Sequence, residues 1–255
     1  MAENREKTGV SLQGFIPVRN EPSGSAEMVT QILFGELFGI IEENGSWVLI
    51  KTLDDGYQGW VDRKCIVPNV HPVSSPIMFL LENFRIRNIT DGQYVLLPLG
   101  SSIPLPEHEK FTLAGVEFHM DDSSKLHRPG DKPGEEYFQT LLSIPYLWGG
   151  RCGYGFDCSG LTQFLCRLAG KQIPRDATDQ SALGETLSFL NEAVTGDLAF
   201  FDNHEGMINH VGMLIGNGHI IHASGTVRID RIDQQGIFNE KIGDYTHKLR
   251  VLKRV

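Results

Sequence analysis

The chain has 255 residues, 40% of them hydrophobic and 22% charged, a composition typical of globular proteins that bury a sizeable core. Its 23 Lys and Arg residues stand against 32 Asp and Glu residues, giving a formal net charge of −9. General nucleic-acid binders and proteins that adhere to anionic membranes need a basic surface, so this acidic balance argues against both. We therefore expect neither a nucleic-acid partner nor a membrane partner.

The opening seven residues are charged and contain no apolar stretch, so no secretory leader is visible in them. A leader trimmed upstream of this start is the open alternative. Four cysteines (Cys65, Cys152, Cys158 and Cys166) are too few for a disulfide scaffold in a chain of this length. These features predict a cytoplasmic location, and we expect a monomer.

The first half of the chain is predicted to consist of short strands separated by turns. Strands at residues 29–38, 39–42, 47–51 and 57–61 predict a small β-barrel within residues 1–70. Strands at residues 77–81, 84–89, 94–97 and 111–118 predict a second barrel within residues 75–125. Residues 67–76 and 121–135 are rich in turn-forming residues, and we interpret both segments as linkers.

Helical periodicity appears only after residue 130. Apolar residues recur with the spacing i, i+3, i+4, i+7 at Leu161, Phe164, Leu165 and Leu168, and Gly170 is a suitable helix stop. Predicted strands follow at residues 197–201, 211–215 and 219–222. A helix followed by strands predicts an α+β domain over residues 130–255.

Cys158 lies at the predicted start of this helix, directly after a glycine-rich stretch. A thiol at a helix N-terminus meets the positive end of the helix dipole, which favours the thiolate. The upstream glycines allow a substrate to approach the backbone closely. Cys158 is therefore a candidate nucleophile, with a buried structural cysteine as the open alternative, whereas Cys166, further along the helix, is predicted to be structural.

A catalytic thiol needs a base, and two histidines flank a predicted β-hairpin at residues 211–222. With a three-residue loop, Gly212 pairs with His222 and Ile215 with His219. His210 and His222 then share one face, with their Cβ atoms about 7–8 Å apart. A two-residue loop places them on opposite faces. The first register predicts His210 as base and His222 as its orienter. His204, His219 and His247 are interpreted as surface or loop residues.

The sequence also suggests a metal site and a phosphate-binding loop, but it supports each of these less well than a catalytic thiol. Metal-ligand types are present at Cys152, Cys158, His210, His219 and His222, but strand residues three apart point to opposite faces and no Cys-x-x-Cys pair exists. The glycines of residues 149–155 suggest a phosphate loop, yet no Lys-Ser/Thr pair follows them. We predict no metal and no cofactor.

Several motifs together resemble the NlpC-type papain-like cysteine peptidases. Residues 146–150 (YLWGG) and 155–160 (GFDCSG) resemble the nucleophile segment, and matches follow in order at 174–177 with Gln180, 196–201, 209–212 and 221–223. The resemblance covers about half of the chain. It implies a papain-like fold with Cys158 as nucleophile, His210 as general base and His222 as third member, and with Tyr146 beside the oxyanion site.

The upstream half extends the resemblance. Residues 35–36, 45–47 and 55–61 resemble bacterial SH3-like barrels, whereas the second barrel matches weakly. Two such barrels before this peptidase domain resemble the γ-D-glutamyl-L-diamino-acid endopeptidases (dipeptidyl-peptidase VI type) of peptidoglycan recycling. The resemblance implies substrate-pocket roles for six residues: Glu36, Tyr57, Trp148, Asp157, Ser159 and Asp176. Arg151 and Cys152 depart from the small or hydroxyl residues expected at those positions.

The resemblance implies hydrolysis of the γ-D-Glu–diamino-acid bond in peptidoglycan stem peptides with a free N-terminal L-Ala, the diamino acid being either meso-diaminopimelate or L-Lys. Two alternatives stay open. The first alternative to a peptidase is a catalytically inactive module that binds wall peptides. The second is an acyltransferase, in which an amine intercepts the thioester. A separate hypothesis gives Cys152 a reversible disulfide with Cys158 that protects the nucleophile under oxidation.

Overall fold

The computed structural model describes residues 7–71, 75–131 and 134–255, and it divides into two compact units, Met1–Pro129 and Gly130–Val255. Within these ranges the chain is mostly β-structure. No described helix is long and apolar enough to cross a membrane.

Fourteen strands are described in the first unit. They are β1 Thr8–Val10, β2 Phe15–Arg19, β3 Met28–Leu33, β4 Leu37–Asn44, β5 Trp47–Thr52, β6 Gln58–Asp62, β7 Val67–Pro68, β8 Ile77–Leu80, β9 Phe84–Asn88, β10 Tyr94–Leu97, β11 Ser102–Pro104, β12 Lys110–Leu113, β13 Val116–His119 and β14 Leu126–His127. The first seven form one sheet, in the order β3-β2-β6-β5-β4-β1-β7. The others form a four-stranded sheet, β10-β9-β13-β12, and a three-stranded sheet, β11-β8-β14.

Three details of the first unit differ from the sequence prediction. The predicted strand boundary between residues 38 and 39 is wrong, because β4 continues through it; the chain turns earlier, at Gly35, whose φ of +80° suits glycine. Both predicted linkers contain strands: β7 pairs with β1, and β14 pairs with β8. Residues 72–74 and 132–133 of those segments lie outside the described residues, as do residues 1–6 of the opening stretch.

An aromatic cluster lies in the core shared by the two strand sets of the first unit. Phe34 from the turn after β3 meets the ring of Phe118 edge-on at 5.3 Å between centroids, and Phe118 stacks on Phe111 at 5.4 Å. Val10 and Leu80, from the two sets, belong to the same buried cluster. The two strand sets therefore bury their apolar residues together.

The second unit contains three α-helices among the described residues, α1 Glu136–Thr140, α2 Cys158–Leu168 and α3 Ala177–Ser181. Its strands are β15 Arg151–Cys152, β16 Gly155–Phe156, β17 Glu185–Leu187, β18 Leu198–Asp202, β19 Ile208–Gly216, β20 His219–Ser224, β21 Thr226–Ile232, β22 Gly236–Asn239 and β23 Asp244–Arg254. The helix predicted from the periodicity at residues 161–168 is confirmed as α2.

Six strands of the second unit close on themselves. The order β18-β19-β20-β21-β22 is antiparallel throughout, and β23 pairs with both β18 and β22. Buried residues from all six strands, among them Phe201, Leu214 and Ile237, fill one apolar cluster. Helix α2 packs on β19 and β20. This closure brings the ends of distant strands together at the candidate site.

Replacing Phe118 with Ala tests the shared core of the first unit. Phe118 is 1% exposed and contacts two other rings, so Phe118→Ala is expected to lower the free energy of unfolding by about 3–5 kcal/mol. Urea unfolding measures the loss. Phe189→Ala, which removes a ring that is 59% exposed, is the matched control and is expected to change little. Equal effects of the two substitutions would contradict the assignment of Phe118 to the core.

Candidate active site

A buried carboxylate fixes the position of the candidate nucleophile. Asp157 is the N-cap of α2, and its Oδ1 accepts the Gly160 backbone N–H at 2.7 Å, while Oδ2 accepts the Gly149 N–H at 2.9 Å. The Arg175 guanidinium forks onto both carboxylate oxygens and also donates to the Ser159 hydroxyl at 2.8 Å. Cys158, the first residue of the helix, is thereby held at the glycine-rich loop.

The glycine-rich loop and the first turn of α2 approach each other closely. A Cβ at Gly160 would lie 2.2 Å from the backbone oxygen of Gly150, so the glycine loop and the first turn of α2 can touch only without a side chain between them. Gln180 of α3 also holds the first turn of α2, through two hydrogen bonds. Its amide donates to the Ser159 carbonyl at 3.1 Å, and its oxygen accepts the Thr162 hydroxyl at 2.9 Å.

Four residues in a row are connected by hydrogen bonds next to this helix. His210 Nε2 lies 2.8 Å from His222 Nδ1, and His222 Nε2 lies 2.9 Å from Asp230 Oδ2. Arg228 forks onto Asp230, with Nη2 donating to Oδ1 at 2.8 Å. His210 and His222 are buried, at 5% and 1% exposure. The Val211 backbone N–H lowers the pKa of the Cys158 thiol, so this N–H lies near the sulfur, and Val211 directly follows His210 in the chain.

The predicted pairing of Gly212 with His222 is confirmed. That of Ile215 with His219 is wrong, because a bulge after Leu214 pairs Gly216 with His219 instead. A Cβ at Gly212 would lie 2.9 Å from the Cβ of His222, so glycine leaves the space through which the two imidazoles meet.

The hydrogen-bond partners determine the tautomers of both histidines. The Asp230 carboxylate can only accept, so His222 carries its proton on Nε2 and presents a lone pair at Nδ1. His210 then donates from Nε2 to that lone pair, which leaves His210 Nδ1 without a proton. His210 Nδ1 can therefore accept the proton of a thiol. The Asp230 carboxylate determines this, because it fixes the tautomer of His222 and, through it, that of His210.

Burial keeps the site neutral in its resting state. Burial, followed by the charge of Asp157, raises the pKa of the Cys158 thiol to about 11, against the smaller effect of the Val211 and Ser159 N–H groups. Burial lowers the pKa of His210 well below its usual value, and it also lowers that of His222. Burial opposes the charge of Asp230, but His222 and Arg228 outweigh it and lower the pKa of that carboxyl to about 2. This raised pKa opposes the thiolate that the helix dipole is expected to favour.

His247 was interpreted as a surface or loop residue, and the structure corrects this. It lies on β23, partly buried, with its ring stacked on His210 at 4.1 Å between centroids and 26° between planes. Burial, followed by the charge of His222, lowers the pKa of His247 to about 4. A neutral ring therefore covers one face of the base.

The ring nitrogens of His210, His222 and His247 lie within 4.8 Å of one another, a cluster that could hold a metal ion. This set differs from the one considered from the sequence, since Cys152 and His219 are not in it. The nitrogens of His210 and His222 that face each other are already used in their shared hydrogen bond. A metal ion there would have to replace that bond, so the described geometry fits proton transfer better than metal binding.

Tyr146 and the glycine-rich loop border the nucleophile. The Tyr146 backbone N–H donates to Gly225 at 2.9 Å. Burial, then the charges of Cys158 and Asp157, raises the pKa of Tyr146 to about 12, so its hydroxyl remains a proton donor near the thiol. Trp148 is 60% exposed beside this loop. Cys152 is buried in the β15–β16 hairpin, and no disulfide joins any of the four described cysteines; the proposed disulfide between Cys152 and Cys158 stays a hypothesis.

The remaining predicted pocket residues lie in varied surroundings. Ser159 and Asp157 are buried together with Arg175, and Asp176 is the exposed N-cap residue of α3. In the first unit, Glu36 is 6% exposed and accepts the Leu33 N–H at 2.9 Å; Tyr57 is partly buried, its N–H donating to Asp55. Their roles toward a substrate stay predictions.

Sequence reasoning missed Asp230, Arg228, Arg175 and His247. A signal for the first two exists, because the β20–β21 hairpin turns at Gly225, where φ is +72°, and pairs His222 with Arg228. Asp230 then lies on the same face as His222. Arg175 and His247 have no comparable local signal.

Comparison with known proteins places these features in a family. The sequence profile of the NlpC/P60 family matches residues 143–245, and that of the bacterial dipeptidyl-peptidase Sh3 domain matches residues 18–66. A γ-D-glutamyl-L-lysine dipeptidyl-peptidase of Bacillus subtilis is 32% identical over 220 residues, which cover 77% of this chain and 72% of the relative. The chain belongs to the NlpC/P60 family.

Other comparisons agree with this assignment. The Bacillus cereus protein of the same name is 28% identical over 253 residues, covering 85% of this chain and 74% of that protein. A crystal structure of an NlpC/P60 family protein from Bacillus cereus matches with a TM-score of 0.79 at 19% identity, over 97% of this chain and 99% of the other; it shows a common fold. The chain is a cysteine peptidase with an NlpC/P60 fold and an N-terminal SH3-like domain, acting on peptidoglycan, and the inactive-module alternative is set aside.

Asp230→Asn tests the hydrogen-bonded row. Arg228 donates to both oxygens of Asp230, and an amide can accept at only one of the two positions, so asparagine holds the His222 proton at Nε2 less firmly. A larger share of His210 would then present a proton, not a lone pair, to the thiol. We expect kcat to fall about 10- to 100-fold with KM little changed. The exposed Asp244→Asn is the matched control. Full activity of Asp230→Asn would contradict the tautomer assignment.

Alkylation by iodoacetamide tests the neutral resting state. Because the thiol pKa is raised to about 11 and the His210 pKa is lowered, the thiolate fraction is small at neutral pH and grows as pH rises. The alkylation rate of Cys158 is expected to climb steadily from pH 6 to pH 9. The Cys158→Ala variant supplies the background rate. A rate that stays constant over this range would indicate a preformed thiolate–imidazolium pair instead.

Proposed function

We propose that the chain hydrolyses the γ-D-Glu–diamino-acid bond of peptidoglycan stem peptides whose N-terminal L-Ala is free. The observation that carries this proposal is the row from Asp230 through His222 to His210, which ends beside the Cys158 thiol. The names of the two Bacillus relatives, which refer to γ-D-glutamyl-L-lysine, support the choice of bond.

The reaction begins with proton transfer from Cys158 Sγ to His210 Nδ1 as the sulfur attacks the γ-carbonyl. Since both groups are neutral at rest, transfer and attack are expected to occur together. The Tyr146 hydroxyl is suited to donate a hydrogen bond to the developing oxyanion. His210 then protonates the leaving nitrogen, the C–N bond breaks, and the acyl group remains on sulfur as a thioester.

Hydrolysis of the thioester completes the cycle. A water molecule gives a proton to His210 Nδ1 and attacks the thioester carbonyl, and the proton returns to the leaving sulfur. L-Ala-D-Glu is released and the neutral pair is restored. His222 keeps its proton on Nε2 throughout, because Asp230 accepts it, so it serves to orient the base.

Recognition of the free N-terminus is proposed to involve Asp176, an exposed carboxylate of the second unit that can accept hydrogen bonds from an ammonium. Each charge-assisted hydrogen bond contributes about 1.5–3 kcal/mol. A requirement for a free amine restricts the enzyme to peptides already released from muramic acid. This supports a role in recycling murein peptides, for which we propose a cytoplasmic monomer.

Acetylation of the substrate tests this specificity. N-acetyl-L-Ala-γ-D-Glu-L-Lys lacks the ammonium, and we expect its kcat/KM to be lower than that of the free tripeptide by about 30-fold to several thousand-fold, equivalent to roughly 2–5 kcal/mol. Mass spectrometry of the products identifies the cleaved bond. Comparable kcat/KM for the two peptides, or rapid digestion of intact sacculi, would overturn the requirement for a free N-terminus.

A further inference from the structure

Three imidazoles from three different strands meet at one end of the closed sheet. His210 lies on β19, His222 on β20 and His247 on β23. One ring nitrogen from each lies within 4.8 Å of the other two. Catalysis as proposed above uses the nitrogens of His210 and His222 but none of His247. The third ring therefore gives this cluster a capacity that proton transfer does not use.

Hydrogen bonds to oxygen atoms determine where two of these rings carry their protons. The Thr246 hydroxyl donates to the Ile237 carbonyl at 3.4 Å, so it accepts the proton of His247 Nδ1 at 2.8 Å. His247 then has a lone pair on Nε2. His222 donates from Nε2 to Asp230 and has its lone pair on Nδ1. Each of the two rings thus offers one nitrogen that can bind a cation.

This arrangement is typical of histidines that bind a metal ion. A ligating histidine commonly donates its other N–H to a carboxylate or another oxygen, which fixes the ring. Zn²⁺ binds three imidazoles and a water molecule with Zn–N distances of about 2.0–2.1 Å, so its nitrogen ligands are about 3.4 Å apart. Shifts of the described nitrogens by about 1.4 Å or less produce this spacing.

A cavity gives an ion access to the cluster from the side of β23. The cavity has a volume of about 930 Å³, and His247 contributes to its wall. His247 is only partly buried, whereas His210 and His222 are 5% and 1% exposed. An ion that enters through this cavity therefore meets His247 before it meets the two buried rings.

We propose that His210, His222 and His247 form an inhibitory Zn²⁺ site, in which the metal ion replaces the hydrogen bond between the first two rings. The ion takes the lone pair of His222 Nδ1 and binds His210 at Nε2. The proton of His210 moves from Nε2 to Nδ1, so no proton is released. His210 Nδ1 then cannot accept the proton of Cys158.

Two properties follow from this exchange. The row of hydrogen bonds without metal is the active form of these residues, and the metal-bound cluster is their inactive form. Inhibition does not require the Cys158 sulfur as a ligand, because the base alone is disabled. The inference goes beyond the proposed function, since the site depends on the imidazoles and not on the identity of the substrate.

Metal binding to Cys158→Ala tests the site without the thiol and without turnover. Titration calorimetry with Zn²⁺ is expected to give one ion per chain, and Co²⁺ in its place is expected to show the visible absorption of a tetrahedral ion. Adding His247→Phe is expected to weaken binding at least about tenfold, because losing even a partner that orients a ligand costs about 10- to 100-fold. His219→Phe, on the strand of His222 but on its opposite face, is the matched control.

Inhibition kinetics distinguish this site from capture of zinc by the thiol. L-Ala-γ-D-Glu-L-Lys is the substrate, in a buffer free of added thiols. The half-inhibitory Zn²⁺ concentration is expected to rise at least about tenfold in His247→Phe, and about tenfold in Thr246→Val, which removes only the oxygen that orients His247. A chelator is expected to restore the activity of the wild-type enzyme.

The outcomes separate this inference from the proposed function. Half-inhibitory concentrations that are unchanged in His247→Phe and Thr246→Val would overturn the site and indicate binding to the thiol. So would a folded Cys158→Ala protein that binds no Zn²⁺. Failure to cleave the tripeptide would refute the proposed function, and the binding measurements would still decide on the metal site. Thr246 is exposed, so its variant is expected to fold, and circular dichroism verifies the folding of His247→Phe.

Discussion

The buried ion pair between Asp157 and Arg175 is the interaction on which the catalytic unit depends. Both side chains are almost fully inaccessible, and two charges in such a place are costly unless their hydrogen-bonding capacity is used. Here the carboxylate also accepts two backbone N–H groups and the guanidinium also reaches Ser159. One contact network thus joins the glycine-rich loop, the start of α2 and the segment before α3, so the thiol has a fixed position relative to all three.

Burial, followed by the charge of the Asp157 carboxylate, raises the pKa of the Cys158 thiol, whereas Arg175 lowers it. Asp157 also accepts the Gly160 N–H, one of the helix N–H groups that could support a thiolate. A thiol with a raised pKa needs an acceptor for its proton. The row of Asp230, His222 and His210 supplies that acceptor, because it leaves a lone pair on His210 Nδ1. Positioning of the nucleophile and its activation are therefore carried by separate sets of residues.

Local pattern was sufficient to predict part of the site. The periodicity of residues 161–168 predicted α2, and the turn between β19 and β20 predicted that His222 faces His210 through Gly212. Asp230 required a second hairpin register, which Gly225 could have indicated. The pKa of Cys158 was not predictable, because dipole direction can be inferred from sequence whereas burial cannot. The first unit shows the same limit, since turn-forming composition suggested linkers where β7 and β14 complete sheets.

Closure of the sheet by β23 has a consequence for the biosynthesis of the protein. Cys158 leaves the ribosome long before Asp244–Arg254, the strand that pairs with β18 and β22 and carries His247 onto the base. Pairings between segments so far apart form late, because a long loop must close first. A nascent chain therefore holds its cysteine without a completed base. Docking of β23 then completes the surroundings of the base by stacking His247 on His210.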